Sequence, residues 1–194
     1  MSMATTKHKR AKPAAGGLRL GLCCQFAAEP IKFRTTTATA MLRLGKKERL
    51  ARLAELCRVN ADALLASLKY CVAHGIGAFR INSQILPVKT HPTAGYEVAE
   101  LPGSKEIVAR FRECGEFARR SNLRLSFHPD QFVVLNSPNP KTLAHSLAEL
   151  SYQAEVAEWV GADGWAAKAK EARQLATAKT KEAAALAGIA VDHV

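Results

Sequence analysis

Several common signatures are missing from this sequence of 194 residues. No stretch approaches the roughly 18 apolar residues of a membrane span, and no long apolar stretch follows the basic start, so we expect neither a membrane protein nor a secretory signal. The five cysteines include no CxxC pair, which disfavours a disulfide framework or a cysteine-based zinc site and favours a reducing cytoplasm. Walker A, GxSxG, GxGxxG and HExxH motifs are also absent, which removes several common enzyme classes.

Acidic residues are in the minority. The chain has 17 Asp and Glu against 28 Lys and Arg, for a formal net charge of +11. This balance favours a polyanionic partner, nucleic acid before membrane. The alternative is a soluble protein with basic tails, because part of the charge lies in residues 1–17 and 164–194. We expect residues 1–17 to form a basic disordered arm.

Short apolar segments alternate with segments of helical periodicity. The predicted strands cover residues 18–26, 78–81 and 123–127. The predicted helices cover residues 46–74, a stretch that starts with Ser104 as its N-cap, and residues 141–159. We expect the first strand to be buried, with Cys23 and Cys24 in the core. This order predicts a parallel α/β protein that is shorter than the roughly 250 residues of a closed eight-fold β/α barrel.

One loop and the end of the chain depart from this alternation. The loop of residues 82–102 is long, and loops of this length are usually functional or disordered. Residues 164–194 are rich in Ala, Lys and Glu and predict one solvated helix where a fourth strand is expected. We therefore place a boundary at Gly164, between a β/α part of residues 18–163 and a helical tail.

The strongest local signal is Ser126-Phe-His-Pro-Asp-Gln-Phe132, at the end of the third predicted strand. Ligands bind at the carboxyl ends of strands in parallel α/β proteins. There the imidazole of His128 can bind a divalent metal, and Asp130 can orient an imidazole or bind metal itself. The amide of Gln131 and the ring of Phe132 can fill the space of an extruded nucleotide and stack on exposed bases. The alternative is a polar turn with a structural His and a core Phe.

Four other polar residues allow a functional and a plain interpretation. Lys32, Arg34 and Arg80 can contact backbone phosphates, or they can belong to a solvated surface. His91, in the long second loop, can contact a phosphate or a flipped base, or it can be an ordinary exposed loop residue. The sequence pattern alone leaves these alternatives open.

Four groups of segments, in order, carry a more specific pattern. They are Leu20-Gly-Leu-Cys-Cys-Gln-Phe26, Phe79-Arg-Ile-Asn-Ser-Gln84, Lys89-Thr-His-Pro92 with Gly95-Tyr96, and Ser126-Phe-His-Pro-Asp-Gln-Phe132 with Leu135-Asn-Ser-Pro138. Over roughly residues 18–163 the chain thereby resembles the ultraviolet damage endonuclease family. The resemblance implies an α/β fold of the TIM type, present here as an incomplete β/α barrel with three βα units and a helical tail.

The resemblance also implies a chemistry and a set of roles. It implies a cluster of divalent metal ions, typically manganese, that hydrolyses a phosphodiester on the 5′ side of ultraviolet photoproducts and some other lesions in double-stranded DNA. On this basis His128 is a metal ligand and His91 is a catalytic-site contact near the lesion. Gln131 and Phe132 are the pair that probes the damaged duplex, with Phe132 where many relatives have Tyr.

The chain departs from the family pattern in two ways. Leu22 and Phe26 stand where relatives often have Tyr and Asn facing the site. The family's later strands carry His, Glu and Asp ligands, and no such motif follows Asp163. We therefore expect an incomplete DNA repair endonuclease with weak or no activity. Two alternatives stay open: a non-catalytic module that binds damaged DNA, and a sugar isomerase on the same scaffold.

Overall fold

The computed structural model of the protein describes residues 19–127 and 129–186. The predicted arm, His128 and the end of the tail lie outside the described residues. Within these ranges the chain forms three strands, five α-helices and one 3₁₀ helix. In chain order they are β1 (Gly21–Cys23), α1 (Ala38–Leu42), α2 (Lys46–Ala73), β2 (Ala78–Ile81), the 3₁₀ helix Val98–Glu100, α3 (Ser104–Arg120), β3 (Arg124–Phe127), α4 (Pro140–Trp159) and α5 (Asp163–Leu186).

The three strands form one parallel sheet in the order β1-β2-β3. Leu22, Phe79 and Leu125 stand in register across it. Helices α1 and α2 connect β1 to β2, and α3 connects β2 to β3. The predicted parallel α/β class is therefore confirmed. The incomplete barrel stays a prediction, because the strands of the described residues form an open layer.

The two faces of the sheet differ in character. Successive strand residues point to opposite faces, so Leu22, Phe79 and Leu125 share one face, where Phe79 is buried in a core shared with α2 and α3. Arg80 and Arg124 are exposed on the opposite face. The other residues of that face are Gly21, Cys23, Ala78 and Ser126. This open face is small and basic, unlike the bulky apolar interior of a closed barrel.

The prediction of a buried first strand is wrong. β1 has three residues, and Leu20 just before it is 69% exposed. Cys23 is exposed and Cys24 is half-buried, although both were expected in the core. The reason is position: β1 lies at the edge of the sheet, so Leu22 packs against the core on one face while Gly21 and Cys23 are exposed on the other.

Helix α2 matches the helix predicted over residues 46–74. Leu53, Leu64 and other apolar residues on one side of it are buried, as helical periodicity requires. It ends next to Gly75, whose φ of +70° lies in the left-handed region. The N-cap predicted for α3 is wrong, because Gly103 (φ 73°) occupies that position and Ser104 is the first helical residue.

The second loop, residues 82–102, is packed into the core. Its apolar side chains Ile85 and Tyr96 are buried, and the 3₁₀ helix lies within it. A Cβ atom on Gly95 would lie 2.6 Å from the carbonyl oxygen of Lys89 and 2.5 Å from that of His91. Only glycine permits this close approach, which holds the His91 turn together.

Helix α5 is the helix predicted for the tail, and it packs against α4. Its prediction as a solvated helix is wrong on one side, where Ala166, Ala169 and Ala176 are buried. Small side chains let two helices approach closely. A domain boundary at Gly164 stays a prediction. In the described part of the chain, no helix combines the length and the apolar character needed for a membrane crossing.

Candidate functional site

The loop after β3 carries the strongest sequence signal and is tightly folded. The side chain of Asp130 accepts a hydrogen bond from the backbone N–H of Phe132 at 3.1 Å, and its carbonyl accepts one from Val133 at 3.0 Å. Such an Asx turn fixes the backbone around Gln131. Gln131 is exposed, and Phe132 is 66% exposed. The alternative of a core phenylalanine is therefore wrong.

Helix α4 holds the far side of this loop. The buried hydroxyl of Ser146 accepts a hydrogen bond from the backbone N–H of Val134 at 2.8 Å and donates one to the carbonyl of Thr142 at 2.8 Å. The loop is thus fixed on both sides of the exposed ring of Phe132. A loop that is already ordered loses little conformational entropy on binding.

A cleft of about 270 Å³ lies beside Phe132 at the carboxyl edge of the sheet. Loops that follow all three strands contribute to it, together with α4, which is where ligands bind in parallel α/β proteins. The polar and charged residues of its wall include Thr36, Ser83, Lys89, Asp130, His145 and Glu149. The structure therefore brings the loop of Phe132 and the loop of His91 to one cleft.

Glu149 joins the second loop to α4. The hydroxyl of Thr90 donates a hydrogen bond to its carboxylate. Burial raises the pKa of Glu149, while the hydrogen bond from Thr90 and the neighbouring His145 act in the opposite direction. The cleft thus contains a partly buried carboxyl that keeps its proton to a higher pH than an exposed glutamate does.

Lys89 places a positive charge in the same wall. Its side chain is only 8% exposed, and the ammonium forms an ion pair with Glu97 at 3.0 Å. The ammonium also lies 5.9 Å from the ring centroid of Tyr96, a distance that allows a cation–π interaction. Burial of the stem and these two partners fix the position of the charge.

The ring orientation of His91 follows from its own turn. Its Nδ1 accepts hydrogen bonds from the backbone N–H groups of Thr93 at 3.2 Å and Ala94 at 3.1 Å. Because Nδ1 is the acceptor, the neutral ring carries its proton on Nε2. His91 is half-buried, and its role as a contact in the site stays a prediction.

The three basic candidates are exposed, but they do not line the cleft. Lys32 donates a hydrogen bond to the carbonyl of Phe26 at 3.2 Å, which bends its loop back on itself. Arg80 projects from the open face of β2, and Arg34 lies in the first loop. Within the described residues none of the three forms an ion pair, so each charge is available to an anion.

Asn60 organises the first two loops, and the sequence interpretation missed it. Its amide nitrogen donates to the carbonyls of Arg34 and Ile85, both at 2.9 Å. Its amide oxygen accepts the backbone N–H of Arg34 at 2.7 Å. Asn60 is completely buried on α2. The sequence feature that could have identified Asn60 is its place as a polar residue inside the apolar stripe between Cys57 and Leu64.

The described residues do not by themselves fit a metal cluster. Within residues 19–127 and 129–186, no group of three or more His, Cys, Asp or Glu side chains is placed to hold an ion. The predicted ligand His128 lies outside these ranges. A metal cluster needs several converging ligands, so we derive no step of hydrolysis through one.

Comparison with known proteins identifies the family. The sequence of residues 18–172 matches the family described as UV-endonuclease UvdE. The chain belongs to this UvdE family. The UV DNA damage endonuclease of Bacillus cereus is 30% identical over 128 residues, which is 66% of this chain and 39% of that protein. That of Bacillus anthracis is 29% identical over the same shares of the two proteins.

The UvdE likeness extends to a solved structure. The crystal structure of SacUVDE superimposes with a TM-score of 0.63 at 25% sequence identity, over 75% of this chain and 46% of that one. The chain spans about two fifths of the length of the curated relatives it matches. The resemblance seen in the sequence is therefore confirmed, and the match to the UvdE family runs past the Gly164 boundary.

Leu22 and Phe26, the two positions at which the sequence resemblance predicts a departure from the family pattern, belong to the core side of the sheet. Leu22 is half-buried and in register with Phe79. The ring of Phe26 packs edge-on against Tyr70 at 5.0 Å and stacks with Phe79 at 6.5 Å between centroids. Both side chains therefore contribute apolar packing against the core.

Proposed function

We propose that this chain is the part of a UV DNA damage endonuclease that recognises damaged double-stranded DNA. The observation that carries the proposal is the exposed ring of Phe132 on a loop fixed by Asp130 and Ser146. A large aromatic side chain that stays exposed on an ordered loop offers a flat apolar surface on which a base can stack. The relatives named UV DNA damage endonuclease support damaged DNA as that partner.

Recognition then rests on two neighbouring side chains. The ring of Phe132 stacks on bases that a lesion leaves unstacked, and the exposed amide of Gln131 fills the space of an extruded nucleotide. A damaged base pair is easier to open than an intact one, which favours lesions over normal duplex. The adjoining cleft, with its mixed polar and apolar wall, is the place for the extruded part.

Four further residues position the DNA. Lys32, Arg34 and Arg80 are exposed cations that contact backbone phosphates in our proposal. His91, whose Nε2 carries the proton in the neutral ring, donates to an anionic oxygen near the lesion and is the catalytic-site contact. These contacts do not depend on the base sequence of the DNA, as recognition of a lesion in any sequence requires.

The resemblance to the family implies hydrolysis on the 5′ side of a lesion, with manganese as the metal and His128 as one ligand. Among residues 19–127 and 129–186, no group of three or more His, Cys, Asp or Glu side chains is placed to hold a metal ion. We therefore propose little or no nicking by the 194-residue monomer, with a fold that corresponds to an incomplete TIM-type barrel. The five free thiols support a reducing cytoplasm as its setting.

Binding and nicking assays on the 194-residue chain separate recognition from hydrolysis. Fluorescence anisotropy with ultraviolet-irradiated and unirradiated duplexes of one sequence should show tighter binding to the irradiated duplex across a salt series. A plasmid-nicking assay with Mn²⁺ should show no turnover. Equal affinity for both duplexes would contradict the recognition proposal. Robust nicking would instead refute the proposal that the chain is inactive by itself.

A further inference from the structure

Two adjacent thiols meet at the carboxyl end of β1. The Sγ atoms of Cys23 and Cys24 lie 3.2 Å apart. Cys23 is exposed and Cys24 is half-buried, whereas the other three cysteines are buried. All five are free thiols. A close, accessible pair of thiols is therefore present at one place on the surface, and the recognition of DNA proposed above does not use it.

The backbone explains why neighbouring side chains come together. In a regular strand they would point to opposite faces. Cys24 instead has φ +38°, and the backbone N–H of Gln25 donates to the carbonyl of Cys23 at 2.6 Å, which closes a tight turn centred on Cys24. The backbone N–H of Cys24 donates to the carbonyl of Arg80 at 3.0 Å. The turn and the sheet together fix both thiols on one side.

We propose that Cys23 and Cys24 form a bidentate binding site for trivalent arsenicals. An organoarsenic oxide, R–As=O, condenses with the two thiols: two As–S bonds form, both S–H bonds and the As=O bond break, and the two protons leave with the oxygen as one water. Arsenic stays trivalent, so no oxidant or reductant is needed. The organic group completes the pyramidal centre and projects into solvent beside the open face.

The separation of the sulfurs selects this chemistry over metal ions. Two-coordinate soft ions such as Hg²⁺ hold two thiolates on opposite sides of the ion, and therefore farther apart than 3.2 Å. A pyramidal arsenic centre keeps both sulfurs on the same side. Zinc requires four ligands, and the described residues place no third His, Cys, Asp or Glu with this pair.

Oxidation to a disulfide is the competing chemistry, and the surroundings of Cys24 disfavour it. Burial and then the hydrogen bond with Cys23 raise the pKa of Cys24 to about 11. A protonated thiol attacks peroxides and disulfides slowly, because the thiolate is the nucleophile. The net condensation with an arsenic oxide takes both thiol protons into the water that leaves, so a raised pKa slows the attack without weakening the adduct.

Phenylarsine oxide is the probe for the test. The full chain should take up one phenylarsenic group per molecule, with loss of one water, in native mass spectrometry. The adduct should survive excess glutathione and be removed by 2,3-dimercaptopropanol, because only a dithiol competes with a chelate. Cys23→Ser and Cys24→Ser should each weaken retention on the order of a hundredfold, as expected for loss of one arm of a bidentate site.

Cys71→Ala is the matched control, since it removes a buried thiol elsewhere and should retain the adduct in full. Thermal unfolding of each variant without arsenical verifies the fold, because Cys23 and Cys24 make no large contribution to the core. Retention by either serine variant equal to that of the unmodified chain would overturn the proposal. So would the absence of an adduct on the folded, unmodified chain at equimolar probe.

Discussion

The hydroxyl of Ser146 on α4 accepts the backbone N–H of Val134 at 2.8 Å, and so ties the loop of Phe132 to a helix that follows it in the chain. Without this bond the partly buried N–H would lack an acceptor or would have to move into water. We expect Ser146→Ala to lower the free energy of unfolding by about 1–2 kcal/mol and to reduce the preference for irradiated duplex. Urea denaturation and anisotropy measure the two effects.

Ser151→Ala is the matched control for that change. The Ser151 hydroxyl donates to the carbonyl of Leu147 at 2.6 Å on the same helix, but it receives no bond from the loop. It should leave DNA preference unchanged. Loss of preference in both variants would indicate general damage to α4 and contradict a specific role for Ser146.

Phe132 should contribute to DNA affinity and little to stability. Stacking on a base contributes about 1–3 kcal/mol, so Phe132→Ala should weaken binding to irradiated duplex by about tenfold or more. Because the ring is 66% exposed, the free energy of unfolding should change by no more than about 0.5 kcal/mol. Phe132→Tyr should retain binding, and Leu175→Ala, which removes another exposed apolar side chain, should not affect it.

Arg80 should contact phosphate rather than read a base. Arg80→Gln should then weaken binding to irradiated and intact duplexes alike, and lower the slope of log K against log salt by about 1. Arg52→Gln is the control, because Arg52 is paired with Glu55 at 2.6 Å on α2. An unchanged slope for Arg80→Gln would place the DNA away from the open face of the sheet.

Asn60 should be the most costly polar side chain to remove. Its amide makes three hydrogen bonds that join Arg34 to Ile85 from a fully buried position. At about 1 kcal/mol each, with a penalty for the backbone groups left unpaired, Asn60→Ala should cost about 2–4 kcal/mol in urea denaturation. Ser67→Ala removes one local bond on the same helix and should cost about 1 kcal/mol or less.

Glu149 should make stability fall as pH rises. Burial raises its pKa above the ordinary value of 4.5, so the folded state holds its proton more tightly than the unfolded state does. The contribution of protonated Glu149 to the free energy of unfolding is complete below pH 4.5, and it is lost as pH rises through the raised pKa of the folded state. Glu149→Gln should remove this part of the pH dependence and gain stability relative to the parent chain as pH rises. The exposed Glu158→Gln should show neither effect.

The sequence predicted those features that depend on neighbours along the chain. Helical spacing located α2, an apolar run located β2, and the Ser126–Phe132 motif identified an exposed aromatic at the end of a strand. Features that depend on distant partners were missed. Cys23 was predicted to lie in the core because the apolar composition of the segment around it does not reveal that β1 is an edge strand.

The polar residues of the site show the same division. Asn60 and Ser146 were missed because their partners, Arg34 and Val134, come from other segments that only the fold brings near. Glu149 was missed for the same reason, since Thr90 lies on a different loop. His91 was identified as a candidate by its motif, but its tautomer required the two backbone donors of its turn.

In the described part of the chain, the face of the sheet that carries Arg80 and Arg124 is exposed, which has a consequence for behaviour at high concentration. Arg80 and Arg124 stand there among small side chains, so water wets this surface at low cost and like charges keep two copies apart. Exchanging both arginines for leucine would create an exposed apolar patch. We expect the apparent molecular mass from light scattering to increase with protein concentration as a result.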